Sequence, residues 1–166
     1  MDARFMKEAL SLARQAAGDG EVPVGAVVVR GDQIVGRGRN RRESSKNALS
    51  HAEIEAIDEA CRTLGGWRLW DCTLYVTLEP CPMCAGAILN ARLRRVVFGA
   101  SDPKAGSLLS VQRMFDLPYN HKPQIDGGFM QEECAAVLRD FFAQMRRGVR
   151  KAPINPNWIR SRQNAE

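Results

Sequence analysis

Apolar residues recur every three or four positions from about residue 2 to residue 17, and Gly18 and Gly20 then interrupt the pattern. This spacing places Phe5 and Leu12 on one face of an amphipathic helix. We expect that face to pack against a sheet.

Extended structure is predicted in the next segment. Residues 24–29 form a short run rich in β-branched side chains, Gly31-Asp32 supplies a turn, and residues 33–36 resume an extended pattern. Such runs are too short for helices and are typical of a β-hairpin.

Helical spacing returns at residues 51–64, where Ser50 is a candidate N-cap and Gly65-Gly66 is a stop signal. The apolar segment 73–78 then predicts a strand. Pro82 suits the first position of a further short helix.

The rest of the chain continues this alternation of helices and strands. A strand is predicted at 96–98 and a loop at 101–106, followed by a short helix, one more strand near 124–125 and a final helix. Helices that alternate with strands favour parallel pairing. The pattern therefore predicts a three-layer α/β/α structure around a mixed sheet.

The chain has the composition of one globular domain, because 45% of its 166 residues are apolar and 26% are charged. We place this domain at residues 1–148 and interpret residues 149–166 as a basic C-terminal tail. The N-terminus lacks the apolar stretch of a signal peptide, and no apolar run approaches the ~20 residues of a membrane span. We therefore expect a cytoplasmic protein.

Charge and cysteine content narrow the chemistry. A net charge of +5 and a pI of about 9.2 favour an anionic partner. The five cysteines are an odd number, and two of them form a Cys-x-x-Cys pair. In a reducing compartment this pattern favours metal binding or redox chemistry over disulfide bonds.

Two short motifs stand out: His51-Ala52-Glu53 and Pro80-Cys81-Pro82-Met83-Cys84. Both lie at the start of a predicted helix, and the second directly follows a predicted strand, so the two meet at one edge of the sheet. His51, Cys81 and Cys84 supply one imidazole and two thiolates, which leave a fourth zinc position free for water. Glu53 would be about 200° around a helix from His51. We therefore expect His51 at the very first turn and Glu53 as the group that moves protons.

Other interpretations of these residues remain open. The Cys-x-x-Cys alone also fits a structural zinc site or a redox pair, although neither explains His-Ala-Glu. His121 is the other histidine and is an alternative ligand to His51, but it lacks a carboxylate neighbour. Glu79 is a second candidate for proton transfer, with an equal claim to a structural salt bridge.

The order His-x-Glu followed by Pro-Cys-x-x-Cys is the signature of zinc nucleobase deaminases. Around it, the chain closely resembles the bacterial tRNA-specific adenosine deaminases of the cytidine and deoxycytidylate deaminase superfamily. The resemblance extends over roughly residues 4–147, and the segments that carry it are residues 20–26, 51–53, 73–87, 95–100, 102–104, 120–121 and 140–142.

This resemblance implies a cytidine-deaminase-like fold with a central five-stranded sheet, one Zn²⁺ ion per subunit, a homodimer, and a tRNA anticodon stem-loop as partner. The implied reaction is hydrolytic deamination of adenosine to inosine at the wobble position (34). In that reaction zinc-bound hydroxide attacks C6 and Glu53 shuttles protons.

The resemblance also implies a set of substrate contacts. Asn40 would hydrogen-bond the target base, and Val22 and Pro23 would shape its pocket. The nucleotides on either side would be contacted by four residues: Asp102, Lys104, His121 and Phe142.

Two rival functions remain open from the sequence. The zinc motif is common to deaminases of a free base or nucleoside, of the guanine or cytosine type. Outside enzymes, the rival is a non-catalytic RNA-binding module with structural zinc. The basic residues Arg92, Arg94, Arg95 and 146–151 either grip phosphates or form a solvated helix face, and a steep loss of affinity with salt would indicate phosphate contacts.

Overall fold

Helices and strands alternate along residues 1–148, the part of the chain that the computed structural model describes; the predicted tail at 149–166 lies outside the described residues. The helices are α1 (Asp2–Gly18), α2 (Ala52–Leu64), α3 (Pro82–Asn90) and α4 (Gln131–Arg146). The strands are β1 (Gly25–Arg30), β2 (Gln33–Arg39), β3 (Cys72–Leu78), β4 (Arg95–Ala100) and β5 (Gln124–Gly127). None of the helices within residues 1–148 has the length and apolar character that crossing a bilayer requires.

The five strands form one mixed sheet in the order β2-β1-β3-β4-β5. β1 pairs antiparallel with β2 and β3, whereas β3–β4 and β4–β5 are parallel. Parallel neighbours arise because α3 and the 101–123 connection return the chain to the same end before each new strand. The predicted mixed five-stranded sheet is confirmed.

Hydrophobic cores lie on both faces of the sheet. α2 and α3 cover one face, where Val28, Val76 and Ile88 are buried, and α1 and α4 cover the other, where Met6 and Val97 are buried. Burying a side chain of this size contributes roughly 1.5–3 kcal/mol. The predicted three-layer arrangement is therefore confirmed, since each face needs its own helical layer.

β2 lets α2 approach closely because it presents glycine to the helix. A Cβ atom at Gly36 would lie 2.1 Å from the carbonyl oxygen of Ala56, and one at Gly38 would lie 2.0 Å from that of Ala52. Helix backbone therefore packs directly on strand backbone. This contact fixes the first turn of α2, and with it His51, relative to the sheet.

The two ends of the sheet differ in what they present. We name the carboxyl end as the one where β3 and β4 stop, at Leu78 and Ala100, and the amino end as the one where they start, at Cys72 and Arg95. β1 runs against β3 and therefore begins at the carboxyl end. The starts of α2 and α3 also lie at the carboxyl end, and the start of α1 lies at the amino end.

At the amino end, Arg95 lies between two carboxylates. Its guanidinium donates hydrogen bonds to Asp2 at 3.0 and 3.2 Å and to Asp126 at 2.5 Å. The Tyr75 hydroxyl also donates to Asp2, at 2.6 Å. The hydrogen bond from Arg95 holds the pKa of Asp2 below its usual value. Arg95 therefore joins α1, β4 and β5, and its charge is engaged in the fold instead of being free for phosphate.

Local details differ from the sequence-based predictions at two places. Ser50 is not the N-cap of α2: His51 is, and the Ser50 hydroxyl oxygen accepts a hydrogen bond from Ser45. The short helix predicted before β5 is a single 3₁₀ turn at Met114–Asp116. The predicted stop is confirmed, because Gly65 has a left-handed φ of 71° that favours glycine.

Candidate active site

His51 and Glu53 lie at the start of α2. His51 is the N-cap residue, with extended backbone angles (φ −83°, ψ 152°), and Glu53 is the second residue of the helix. The N-cap backbone is not helical, so the 200° separation expected within a helix does not apply to this pair. The predicted place of His51 at the first turn is confirmed, and both residues line the same cavity.

Cys81 and Cys84 lie at the start of α3 in the same way. Cys81 is the N-cap residue (φ −72°, ψ 174°), Pro82 is the first helical residue, and Cys84 lies in the first turn. Proline suits that position because its fixed φ fits the helix and it has no N–H group to leave unpaired. The helix dipole and the free N–H groups of the first turn favour anionic thiolates there.

The three predicted metal ligands converge in space. Nδ1 of His51 lies 3.6 Å from Sγ of Cys81 and 3.5 Å from Sγ of Cys84. Tetrahedral zinc, with Zn–N near 2.0–2.1 Å and Zn–S near 2.3 Å, separates nitrogen from sulfur by about 3.5 Å. The donors therefore fit zinc in chemistry and in spacing. Within residues 1–148, no fourth side chain belongs to this group.

The two thiols have opposite pKa shifts. A hydrogen bond from Cys84 is the main cause that lowers the pKa of Cys81 to about 4, and the same bond, together with burial, raises the pKa of Cys84. The hydrogen bond with Cys81 also raises the pKa of His51. Cys81 therefore ionises more readily than Cys84, and a thiolate is the form in which cysteine binds metal.

Glu53 is buried beside these ligands, with 4% of its surface exposed. Burial raises the pKa of its carboxyl group to about 7, and the negative charge of Cys81 acts in the same direction. A carboxyl group with a pKa near neutrality both gives and accepts protons readily. Glu53 is therefore a candidate general acid and base.

An open cavity of about 170 Å³ lies at the carboxyl end of the sheet. Sites for drug-sized ligands measure roughly 300–1,000 Å³, so this cavity suits a single base. Two of the three candidate metal ligands line it together with apolar and polar side chains. The full lining is Val22, Val24, Asn40, Arg42, His51, Ala52, Glu53, Leu78, Glu79, Cys81, Asp102 and Ala105.

Asn40 is 8% exposed and is held in place by two backbone groups. Its Nδ2 donates to the carbonyl oxygen of Val22 at 3.1 Å, and its Oδ1 accepts from the N–H group of Arg42 at 3.1 Å. A primary amide has two hydrogens and an oxygen with two lone pairs. One hydrogen and one lone pair of Asn40 therefore remain for a ligand.

Two loops flank the cavity. The first wall is residues 41–50, between β2 and α2, and residues 41–49 of it are exposed. Glu21, which is 1% exposed, accepts hydrogen bonds from the backbone N–H groups of Ser44 at 2.6 Å and Glu43 at 3.2 Å. A buried carboxylate therefore anchors the tip of an otherwise exposed loop.

The second wall is residues 101–111, which follow β4. It contributes Asp102 and Ala105 to the cavity and buries Ser107 and Leu108 beneath them. Asp102 accepts hydrogen bonds from the N–H groups of Lys104 and Ala105, at 3.0 and 3.2 Å, and so shapes a tight turn. Glu79 also contacts this wall; no salt bridge involving it is found in the described part of the chain.

The other predicted substrate contacts divide into two groups. Pro23 is buried between two cavity residues, and Lys104 is exposed within the second wall. His121 lies instead at the amino end, where its Nε2 is 2.7 Å from the carbonyl oxygen of Leu93 and its ring meets Trp70 edge-on. Phe142 is 43% exposed on α4, with its ring against Phe141. Neither His121 nor Phe142 lines the cavity.

Sequence reasoning missed two residues of this site and left the role of a third open. Arg42 lines the cavity, Glu21 anchors the first wall, and Glu79, expected to be a proton carrier or half of a salt bridge, anchors the second wall. Arg42 could have been found from its position two residues after Asn40. The roles of the two glutamates have no sequence signal, because their partners are backbone N–H groups.

Comparison with known proteins places the chain in a family. A family model described as MafB19-like deaminase matches residues 1–146. The tRNA-specific adenosine deaminase of Bacillus subtilis (strain 168) is 45% identical over 155 residues, which cover 93% of this chain and 96% of that protein. The chain belongs to the tRNA-specific adenosine deaminase family. It is an enzyme of the deaminase class.

Two further proteins are similar to this deaminase, one in structure and one in sequence. A solved structure from work on A-to-I editing by tRNA:A34 deaminases has a TM-score of 0.80 and 44% identity, covering 82% of this deaminase and 99% of that chain. The tRNA(Ile)-lysidine synthase of Deinococcus radiodurans is 48% identical over 153 residues, which are 92% of this deaminase and 26% of that protein. The deaminase thus spans about a quarter of the Deinococcus relative. The predicted cytidine-deaminase-like fold is confirmed.

Proposed function

We propose that this protein converts adenosine to inosine at the wobble position (34) of a tRNA anticodon and releases ammonia. Its main support is the convergence of a metal-ligand set and a buried carboxyl group, Glu53, on one base-sized cavity. The substrate is inferred from relatives, because a 45% identical protein is a tRNA-specific adenosine deaminase and a 44% identical structure comes from work on A34 editing.

His51, Cys81 and Cys84 would hold one Zn²⁺ ion through Nδ1 and two sulfur atoms. When bound, zinc supplies a Lewis acid that activates water as a nucleophile near neutral pH. Three protein ligands suit this role, because structural zinc sites use four. The ligand count therefore favours an enzyme over an RNA-binding module with structural zinc.

Glu53 holds and moves the protons of the reaction. Its carboxylate takes a proton from the attacking water and gives it to the ring nitrogen N1 of adenine. It then delivers the second proton of that water to the departing amine. One water is consumed, the C6–N bond is exchanged for a C6–O bond, and ammonia leaves. Burial of Glu53 keeps these transfers away from bulk solvent.

The target base enters the cavity out of its stack. Val22 and Pro23 shape the apolar side, and the remaining amide hydrogen of Asn40 donates to a ring nitrogen of the base. Removal of a base from its neighbours costs least where it is unpaired. An anticodon loop therefore fits this cavity better than a duplex.

The two walls contact the nucleotides on either side of the target. Asp102 and Lys104 do so from the second wall, and Arg42 offers a guanidinium to a phosphate from the first wall. His121 and Phe142 lie away from this cavity. They contact the RNA only where it extends beyond the cavity or where a second subunit presents them.

A second copy of the chain is the proposed partner of α3. This helix has no charged side chain, and its sequence, PMCAGAILN, is apolar on all sides. Cys84 and Ile88 face the core, whereas Met83, Gly86 and Ala87 remain partly exposed. A helix that is apolar on all sides is normally buried. A homodimer that covers α3 would bury it.

We assign this catalytic function to residues 1–148, as one domain. The deaminase family model covers residues 1–146, which supports this boundary. A tRNA substrate also fits the expected cytoplasmic location.

The test is incubation of the zinc-loaded protein with an anticodon stem-loop that carries adenosine at the wobble position, with Glu53→Ala as control. We expect inosine with the unaltered protein and none with the variant. Parallel reactions with free adenosine, guanine and cytosine test the rival substrates. Ammonia from one of these, with no inosine in the stem-loop, would contradict the tRNA substrate and keep the deaminase chemistry.

A further inference from the structure

Glu79 is a buried carboxyl group that the reaction above does not use. It is 1% exposed, and Oε1 accepts hydrogen bonds from the backbone N–H groups of Leu109 at 2.9 Å and Ser110 at 3.1 Å. Oε2 lies 3.4 Å from the N–H group of Asp102. Both ends of the second wall are therefore bound to one carboxylate.

The wall wraps tightly around this carboxylate. A Cβ atom added at Gly106 would lie 1.4 Å from Oε2 of Glu79 and 2.5 Å from the carbonyl oxygen of Asp102. Any residue other than glycine at 106 would therefore displace the carboxylate or the turn. The sequence does not predict this contact, because Glu79 and Gly106 belong to different loops.

Glu79 is also directly connected to the metal site. Pro80 and Cys81 follow it in the chain, and the carbonyl oxygen of Pro80 accepts from the N–H group of Ser107 at 2.9 Å. The N–H group of Glu79 donates to Ala100 at 2.8 Å. The segment that presents the ligand Cys81 and the wall that presents Asp102 are thus held together through Glu79.

If position 79 served only to fill space in the core, a carboxylate would be less favourable there than an apolar side chain. Burial of a charge is costly unless hydrogen bonds compensate it, and here backbone N–H groups supply the compensation. Glutamine would keep the volume but would turn an NH₂ group toward N–H donors. A carboxylate at this place therefore holds the second wall in one fixed position.

We propose that Glu79 is a positioning residue that fixes the second wall relative to Cys81 and thereby sets the affinity of the cavity for the RNA loop. Glu79 borders the cavity, but both of its carboxylate oxygens accept hydrogen bonds from backbone N–H groups of the second wall, so it acts on the base through Asp102 and Ala105. This inference rests on the proposed function for its substrate. Its structural part, the anchoring of the wall, is testable without any substrate.

The experiment compares Glu79→Gln, Gly106→Ala and the double variant with a matched control, Glu59→Gln. Glu59 also accepts a backbone N–H group, that of Arg37 at 2.5 Å, but lies outside the cavity. Hydrogen exchange, zinc content, and kcat and KM for inosine formation on the anticodon stem-loop are measured for each protein.

We expect Glu79→Gln and Gly106→Ala each to raise KM about tenfold, the effect of one lost charge-assisted hydrogen bond, with kcat changed by less than about threefold. Both should speed exchange at the Leu109 and Ser110 amides and keep one zinc per chain. The double variant should be no worse than the worse single variant, because both remove one contact. Glu59→Gln should change neither KM nor exchange in the wall.

Other outcomes overturn the inference. Unchanged exchange at Leu109 and Ser110 in Glu79→Gln would show that the carboxylate does not anchor the wall, whatever the substrate. Faster exchange with an unchanged KM would show that Glu79 stabilises the fold without affecting RNA binding. Loss of zinc together with loss of kcat would show that Glu79 supports the metal site instead of the wall. No inosine from the unaltered protein would instead contradict the proposed function, and the exchange data would still decide the anchoring.

Discussion

Charged side chains lie at both the carboxyl and the amino end of the sheet, but the two ends differ in how these charges are stabilised. At the amino end, Arg95 lies between Asp2 and Asp126, so each charge meets its opposite. At the carboxyl end, Glu53 and Glu79 are buried without a salt bridge in the described part of the chain, and Glu79 is satisfied by backbone N–H groups. The amino end thus pairs opposite charges to hold elements together, whereas the carboxyl end buries carboxyl groups that have no cationic partner in the described part of the chain.

This difference predicts that substitutions at the two ends separate activity from stability. Charge left unpaired within a site is costly to the fold and is retained where chemistry needs it. Changes at the carboxyl end should therefore remove activity with small effects on stability. Changes at the amino end should do the reverse.

The largest effect is expected from Cys84→Ala, with Cys72→Ala as its matched control at the amino end. Both cysteines are buried, but only Cys84 belongs to the metal-ligand group. We expect Cys84→Ala to lose bound zinc and all inosine formation, while Cys72→Ala keeps both and loses about 1 kcal/mol of stability. Zinc content by atomic absorption checks this, and a zinc-free Cys72→Ala protein would break the comparison.

Glu53→Gln is the second largest change. It keeps the size of the side chain but removes the proton carrier, so we expect kcat to fall by about 10²–10⁴-fold with zinc retained. Glu59→Gln, on the same helix but outside the cavity, should keep its kcat. Steady-state kinetics on the stem-loop measures both, and a kcat for Glu53→Gln within threefold of the unaltered protein would rule out the assigned role.

Arg42→Ala should have a smaller effect, on binding alone. Loss of one phosphate contact is expected to raise KM for the stem-loop by about 3- to 10-fold and to reduce the salt slope of affinity by about 1. Arg62→Ala is the control, because Arg62 is exposed and pairs with Asp58 toward the other end of α2. Equal salt slopes for the two variants would show that Arg42 meets no phosphate.

Asp2→Asn should have the smallest effect and should act on stability alone. The pKa of Asp2 is lowered in the folded state, so its contribution is fully present above the ordinary aspartate pKa and is lost as pH falls through the lowered value. Because the pair is partly exposed, we expect a loss of about 1 kcal/mol at pH 7. Denaturation at pH 7 and below pH 3 measures this, and a loss that persists in acid, or any change in kcat, would contradict it.

Much of the fold was predictable because its signals are local. Periodicity located the helices and strands to within a few residues, and the positions of Gly65 and Pro82 marked a helix end and a helix start. The geometry of His-x-Glu also predicted that His51 lies at the very first turn of its helix. Each of these predictions depends on residues close together in the chain.

The rest was not predictable because its signals are distant or belong to the backbone. The sequence left Glu79 as either a proton shuttle or half of a salt bridge, and its partners are instead N–H groups 23 to 31 positions later. Arg95 was left as either a phosphate contact or part of a solvated helix face, because its partner Asp2 lies 93 positions away. The resemblance named His121 and Phe142 as substrate contacts, but it did not indicate that both lie away from the cavity.

The close contact between glycine-bearing β2 and the backbone of α2 also bears on how the chain folds. Gly38 meets Ala52 and Gly36 meets Ala56, so β2 and α2 join through neighbouring stretches of chain. By contrast, β1 pairs Arg30 with Cys72, 42 positions later. Closing the shorter loops costs less entropy, so we expect β1, β2 and α2 to assemble early and β3 to join afterwards. His51 belongs to the early unit and Cys81 follows β3 in the chain, so we expect the active site to be completed only after β3 has joined.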